Sequence, residues 1–292
     1  MIDLHLHSNC SDGSDSPSEL VDKAEALNLK AIALTDHDTV DGLDEFLSAG
    51  ESKQIIAIPG IELSIKHEPY REINDVHIVG LNIDHRCNPL VNTLKLQMEG
   101  RLHQKEAICN RLRNEFDYNI TYEEVKAIAK SNSVGRPHIV EVMIKNNSEK
   151  VKNKTKDQLF KMISLGGIAY VDREFEVTLE QAIEVIKKAK GIPILAHPGV
   201  YEVSDREQFV KMCTDAGIEG IEIEYPYDMN RPYYETVKEE WARTHLPDFY
   251  RKLAEKYRLI KSGGSDYHGG KKNIKLGQAN VPDEYLLDII SF

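Results

Sequence analysis

Apolar positions along this chain fall into seven short runs rich in Ile, Val, Leu and Ala: residues 2–6, 31–35, 55–59, 76–81, 192–196, 218–223 and 258–262. Runs of this length, apolar almost throughout and bounded by polar turns, predict strands buried on both faces. Longer stretches with helical spacing lie between them, and several announce their starts. Ser16-Pro17-Ser18-Glu19, Thr178-Leu179-Glu180-Gln181 and Ser204-Asp205-Arg206-Glu207 each place a hydroxyl three residues before Glu or Gln, so that side chain and backbone cap one another. The alternation predicts parallel strands joined by crossover helices in an α/β barrel, and 292 residues suffice for one barrel plus an insertion.

Two stretches interrupt the alternation. Residues 88–165 are helical in pattern, polar and basic, and read as an inserted helical subdomain within a barrel of residues 1–87 and 166–292. Thr121-Tyr122-Glu123-Glu124 reads there as a helix start, Gly135-Arg136-Pro137-His138 as a turn opening another helix, and residues 150–156 as an exposed connection. The second stretch, residues 225–257, holds the only Trp, Trp241, and several tyrosines.

Polar residues gather where the apolar runs end. Asp3, His5 and His7 alternate along the first run and so share one strand face, followed by Ser8, Ser11, Asp12 and Gly13. Similar signals follow later: Thr35-Asp36-His37-Asp38, Gly60-Ile61-Glu62, His77-Ile78-Val79-Gly80, Ala196-His197-Pro198 and Gly264-Ser265-Asp266-Tyr267-His268. In a parallel barrel all strand ends meet at one rim, where such folds place their chemistry. The expected metal ligands are His5, His7, Asp12, His37, Glu62, His77, His197, Asp266 and His268. Nine groups exceed the four to six ligands of one ion, so two or three divalent ions are expected. A donor set of imidazole and carboxylate without thiolate suits Mn, with Fe or Zn as alternatives. His197 and Asp266 are also candidates for moving a proton. Asp3 reads as an acceptor fixing an imidazole or as a buried structural hydrogen bond, and Asp36 and Asp38 read as structural. Glu222 and Glu224 stay outside the ligand set.

Charge narrows the substrate. Three divalent ions, offset by Asp12, Glu62, Asp266 and one bridging hydroxide, leave roughly +2 for an anion to neutralise, which suits a phosphate ester attacked by that hydroxide. Net charge is −11, which argues against a duplex nucleic-acid surface. Residues 95–162 nevertheless carry 14 Lys or Arg against 9 Asp or Glu, which reads as a solvated helical surface or as a basic cover that attracts an anionic substrate. Arg136 and Arg173 are candidates for gripping a phosphate distant from the metals, and His138 for orienting substrate or capping its helix. Four scattered cysteines, no apolar span of membrane length and no signal pattern suggest a cytoplasmic protein with reduced thiols that does not engage a membrane.

Taken in order, Asp3-Leu4-His5-Leu6-His7-Ser8, Thr35-Asp36-His37-Asp38, Gly60-Ile61-Glu62, His77-Ile78-Val79-Gly80, His197-Pro198 and Gly264-Ser265-Asp266-Tyr267-His268-Gly269 resemble the motifs of the polymerase and histidinol phosphatase (PHP) family. The resemblance implies a distorted (β/α)7 TIM-like barrel, a trinuclear metal centre and metal-dependent phosphoesterase activity. Gly135-Arg136-Pro137-His138 and Ala169-Tyr170-Val171 before Arg173 look most like the subgroup of 3',5'-nucleoside bisphosphate phosphatases and 5'-to-3' exoribonucleases. The expected reaction is removal of the 3'-phosphate from nucleoside 3',5'-bisphosphates, with exonucleolytic cleavage of short RNA as its neighbour. An amidohydrolase-like C–N hydrolase and a non-catalytic metal-binding regulatory domain are the competing readings.

Overall fold

The computed structural model describes residues 1–129 and 134–291. Seven strands form one sheet in chain order: β1 (Ile2–Leu6), β2 (Ala31–Leu34), β3 (Ile56–Ser64), β4 (His77–Leu81), β5 (Ile192–Leu195), β6 (Gly220–Glu224) and β7 (Ile260–Gly263). The helices are α1 (Pro17–Ala26), α2 (Leu43–Lys53), α3 (Asn88–Phe116), α4 (Tyr122–Ala129), α5 (Arg136–Asn146), α6 (Ser148–Val151), α7 (Lys156–Ile163), α8 (Leu179–Lys188), α9 (Arg206–Asp215), α10 (Glu239–Tyr257) and α11 (Tyr285–Ile290). The sheet curls. Just past β7, the Asp266 N–H donates to the His5 carbonyl at 3.0 Å, and the His7 N–H donates to the Tyr267 carbonyl at 2.9 Å. Gly264 permits this approach, because a Cβ there would stand 2.3 Å from the His5 Cβ.

Every position of β1, β2 and β5 is buried, as their unbroken apolar runs predict. Each fully buried Leu or Ile in them stabilises the fold by roughly 1.5–3 kcal/mol. Ser16 and Thr178 cap α1 and α8 with the expected reciprocal bonds. At α9 the cap is Asp205, one residue beyond Ser204, with its carboxylate accepting from the Gln208 N–H at 3.0 Å. Residues 150–156 are partly helical, since α6 ends at Val151 and Thr155 caps α7. The 225–257 excursion is mostly α10, the helix that precedes β7.

One expectation needs correcting. The strands are not all parallel: β4 runs antiparallel to both β3 and β5. A crossover to a parallel strand usually carries an α-helix, whereas the β3–β4 link, residues 65–76, holds only a 3-10 turn at Pro69–Arg71. The reversal puts the start of β4 beside the ends of its neighbours. His77 pairs across from Ser64, and its carbonyl accepts from the Ala196 N–H just past β5. His77 therefore opens a strand instead of following one. Glu62 lies within β3, which runs to Ser64, beyond the expected end at residue 59.

The chain divides into two compact units, residues 1–94 with 177–292 and residues 95–176. The first contains the whole sheet. The second has its own apolar core, including Ile108, Leu112, Ile120, Ile139, Met143 and Ile163. Among the described residues, no helix is long and apolar enough to cross a membrane.

Candidate metal centre

Strand alternation turns Asp3 and His5 to one side of β1, and His7 continues that face just beyond it. His5 and His7 are fully buried, with their Nε2 atoms 3.1 Å apart. Glu62 lies among five imidazoles. Its Oε1 is 2.9 Å from His77 Nδ1 and 3.0 Å from His197 Nε2. Its Oε2 is 3.0 Å from His37 Nδ1, 3.3 Å from His7 Nε2 and 3.4 Å from His5 Nε2. Asp266 Oδ1 approaches His7 Nε2 at 3.2 Å and His268 Nδ1 at 3.4 Å, while Asp12 Oδ1 reaches His268 Nε2 at 3.2 Å.

All nine expected ligands are thereby brought together. Their donor atoms form four overlapping groups: His7-Asp12-His37-His268, His5-His7-Asp266, His5-Glu62-His197 and His37-Glu62-His77. The donor set also passes a test of chemical fit. Glu62 Oε2 has three imidazole nitrogens within 3.4 Å yet forms no hydrogen bond, and Nδ1 of His7, His37 and His197 is likewise buried without a hydrogen-bond partner. Buried polar atoms are nearly always satisfied. Glu62 Oε2 and His37 Nδ1, which face each other at 3.0 Å without a hydrogen bond, suit a cation held between them.

Electrostatics agree. Burial alone would push the imidazoles towards their neutral form, but Glu222 and Glu62 outweigh it at His5, whose pKa is raised well above 6.5. At His7, Asp266 and Glu62 outweigh burial and raise the pKa to about 9. Burial works against the charged carboxylates of Glu62 and Asp266 too. Surrounding imidazoles, with Lys272 at Asp266, nonetheless hold both well below the usual carboxylate range. The carboxylates thus demand positive charge, and without metal His5, His7 and His77, whose pKa values are all raised, supply it by holding protons.

Neighbouring groups fix these side chains. His5 Nδ1 is 2.8 Å from Glu222 Oε1, and Glu222 Oε2 accepts the His197 N–H at 2.7 Å, so one buried carboxylate orients two candidate ligands. His197 and Asp266 have left-handed backbone, with φ of 26° and 53°. Such conformations are uncommon outside glycine and cost of order 1 kcal/mol or more, a strain their backbone hydrogen bonds help to hold. Sequence reasoning missed Glu222 because nothing in β6 shows which imidazole its carboxylate meets. The carboxylate that meets the His5 ring is Glu222, not Asp3. Asp3 instead accepts from the Ser265 N–H at 2.8 Å and hydroxyl at 2.5 Å and from the Gly277 N–H at 2.8 Å. Asp36 accepts from the Ser8 N–H and hydroxyl, and Asp38 from the Ser64 N–H, both structural bonds. Glu222→Gln is expected to weaken metal binding about 10- to 100-fold with the fold intact, as measured by metal titration; unchanged affinity would deny Glu222 that role.

Arg136, His138 and Arg173 lie in the second unit. His138 Nδ1 accepts the Gly135 N–H at 3.0 Å and so caps α5. Arg136 Nη1 donates to Ser164 Oγ at 3.2 Å, and Arg173 Nη1 pairs with Glu176 at 3.1 Å. Lys105 is buried beside these arginines. Burial first, then the charges of Arg173, Arg136 and Arg101, lower its pKa to about 7.

The PHP domain profile matches residues 3–262, most of the chain. The chain belongs to the PHP family. It is 29% identical over 282 residues to the 5'-3' exoribonuclease Rnm of Escherichia coli K12, covering 95% of this chain and 88% of that protein. It is also 29% identical over 272 residues to the 3',5'-nucleoside bisphosphate phosphatase of Chromobacterium violaceum, covering 91% and 87%. The solved structure of a protein described as a metal-dependent phosphoesterase from Bifidobacterium adolescentis superposes with a TM-score of 0.76 at 24% identity, covering 99% of this chain and 95% of that one, a likeness of fold. This PHP protein is a metal-dependent phosphoesterase whose His, Asp and Glu clusters are able to bind metal. Family membership favours the phosphoester reading over the C–N hydrolase and non-catalytic ones.

Proposed function

We propose that this PHP protein hydrolyses a phosphomonoester of a small nucleotide, with the 3'-phosphate of nucleoside 3',5'-bisphosphates as its substrate. The observation that carries this reading is the convergence of nine imidazole and carboxylate groups, five of which (His37, Glu62, His77, His197 and Asp266) line an open cavity of about 570 Å³. Two or three divalent ions, Mn first among them, supply Lewis acidity and an activated water when bound there. Glu62 holds the imidazoles together, Glu222 orients His5 and His197, and His197 and Asp266 line the cavity where a proton must reach the departing oxygen. The phosphatase of Chromobacterium violaceum, similar over most of both chains, supports this choice of substrate.

The second phosphate of such a substrate calls for a separate cation, and Arg136 and Arg173 have the planar fork that binds phosphate oxygens in pairs. Arg136→Ala is expected to raise KM for a 3',5'-bisphosphate about 10- to 100-fold and to leave KM for a 3'-monophosphate nearly unchanged, as steady-state kinetics will show. Equal effects on both substrates would remove Arg136 from that role.

The similarity to the exoribonuclease of Escherichia coli and the basic second unit support a second reading, removal of nucleotides from the 5' end of short RNA. Incubating the Mn-loaded protein with 3',5'-bisphosphoadenosine should release one phosphate and leave the 5'-monophosphate. End-labelled short RNA separates the readings, because a monoesterase leaves oligonucleotide length unchanged. Shortening of the RNA without phosphate release from the bisphosphate would favour the exonuclease; inertness towards every nucleotide phosphate would overturn both.

A further inference from the structure

Asp266 uses its two oxygens differently. Oδ1 faces the imidazoles of His7, His268 and His5 at 3.2, 3.4 and 3.8 Å. Oδ2 accepts hydrogen bonds from Lys272 Nζ at 2.6 Å and from the Tyr225 hydroxyl at 2.8 Å. We propose that Lys272 contacts the phosphate undergoing hydrolysis, held ready for it by Asp266 Oδ2. This assignment rests on the phosphoesterase reading and adds to it a protein cation at the reacting group.

Three observations carry it. Lys272 lines the same cavity as His37, Glu62, His77 and His197, and its side chain keeps 35% of its exposure. An ammonium has three N–H donors, and among the described residues Asp266 is the hydrogen-bond partner of Lys272, which leaves donors for a ligand in the cavity. Anchoring by a buried carboxylate also fixes a side chain that otherwise pays heavily in rotamer entropy, so the donor is in place before substrate arrives. Arg231 is the other Lys or Arg among the cavity-lining residues, and it is exposed on the segment before α10.

The electrostatics give the lysine its task. His5, His7 and Asp266 would hold a divalent ion whose charge would offset that of Asp266, leaving the ammonium with charge that a phosphate dianion matches. In the reaction the bond from phosphorus to the leaving oxygen breaks, a bond to the water oxygen forms, and the water's proton passes to the leaving oxygen. Lys272 keeps its proton throughout and donates hydrogen bonds to a phosphate oxygen.

The test compares K272M, K272R and Y225F, each loaded with Mn. Metal per chain, phosphate binding by calorimetry, and kcat and KM for 3',5'-bisphosphoadenosine are measured. K272M should keep its metal, bind inorganic phosphate about 10- to 100-fold more weakly and lose at least as much in kcat/KM, with K272R restoring most of both. Y225F, which removes the other hydrogen bond to Asp266 Oδ2 and keeps the ring that packs on His197, should leave phosphate affinity of the loaded protein within about threefold of the wild type. Unchanged phosphate affinity in metal-loaded K272M, or loss of metal from K272M that accounts for its defect, would overturn the proposal and leave Lys272 as a support for Asp266. If K272M fails to fold, K272Q takes its place in the same comparison. Phosphate binding requires no turnover, so the lysine can be judged even if the bisphosphate proves not to be the substrate. Wild-type protein that neither binds phosphate nor hydrolyses any phosphoester would instead defeat the underlying reading.

Discussion

Glu62→Gln is expected to cost roughly a thousandfold in phosphoesterase activity and at least one metal ion per chain. The substitution preserves shape and removes one negative charge. Glu62 joins His5 and His197 in one candidate site and His37 and His77 in another, so a single neutral amide deprives two groups of their only carboxylate. It also introduces an NH2 where lone pairs now face imidazole nitrogens at 2.9–3.4 Å. A ligand carboxylate supplies several kcal/mol to the charge balance of such a centre, and each 1.4 kcal/mol is tenfold in rate, which sets the expected size of the loss. Elemental analysis and phosphate release measure the two effects separately. Full metal content with wild-type activity would remove Glu62 from the centre.

Stripping the metals with a chelator is expected to lower Tm by roughly 10 °C, with a gap between loaded and stripped protein that widens from pH 6.5 to pH 9. The size follows from linkage: a ligand at a thousand times its Kd stabilises by about 4 kcal/mol, and a chain of this size loses about 2–4 °C per kcal/mol. The pH trend follows from His7. Its folded pKa of about 9 exceeds the ordinary 6.5, so in stripped protein its contribution is complete below pH 6.5 and is lost as pH rises through 9. Glu62 and Asp266 have lowered values, and what they contribute is present above the ordinary carboxylate range and is lost only as pH falls through those lowered values. Ligation requires the imidazoles deprotonated, so metal affinity rises over the interval in which the stripped protein weakens. Thermal denaturation across this range, with and without Mn, reads the gap. A gap that narrows with rising pH would contradict this assignment of charges.

Much of the centre is visible along the chain because most of its residues stand at the ends of apolar runs, where strand alternation fixes the side to which they point. His5 and His7 are the clearest case: Leu4 and Leu6 take the other face, so the imidazoles share one. His77 joins the set by a different route, since a link without an α-helix reverses β4 and brings its first residue to the rim. Pro69, Asn74 and Asp75 between β3 and β4 are signs of that missing helix. Glu222 and Lys272 were harder to read because their roles are set by contacts across the sheet. Glu222 meets an imidazole 217 positions away, and Lys272 lies past the last motif with nothing local to mark the carboxylate it grips. The helix α10 was obscured by Pro247 and by the tyrosines around it, which interrupt the usual pattern of a crossover helix.

The most direct test of the central claim is anomalous diffraction at the Mn edge from crystals of the metal-loaded protein. Two or three peaks are expected, each roughly 2.0–2.3 Å from donor atoms of His5, His7, Asp12, His37, Glu62, His77, His197, Asp266 and His268, with Glu62 touching at least one. Metal-replete crystals that show no peak among these nine residues, or peaks elsewhere on the protein, would contradict the account.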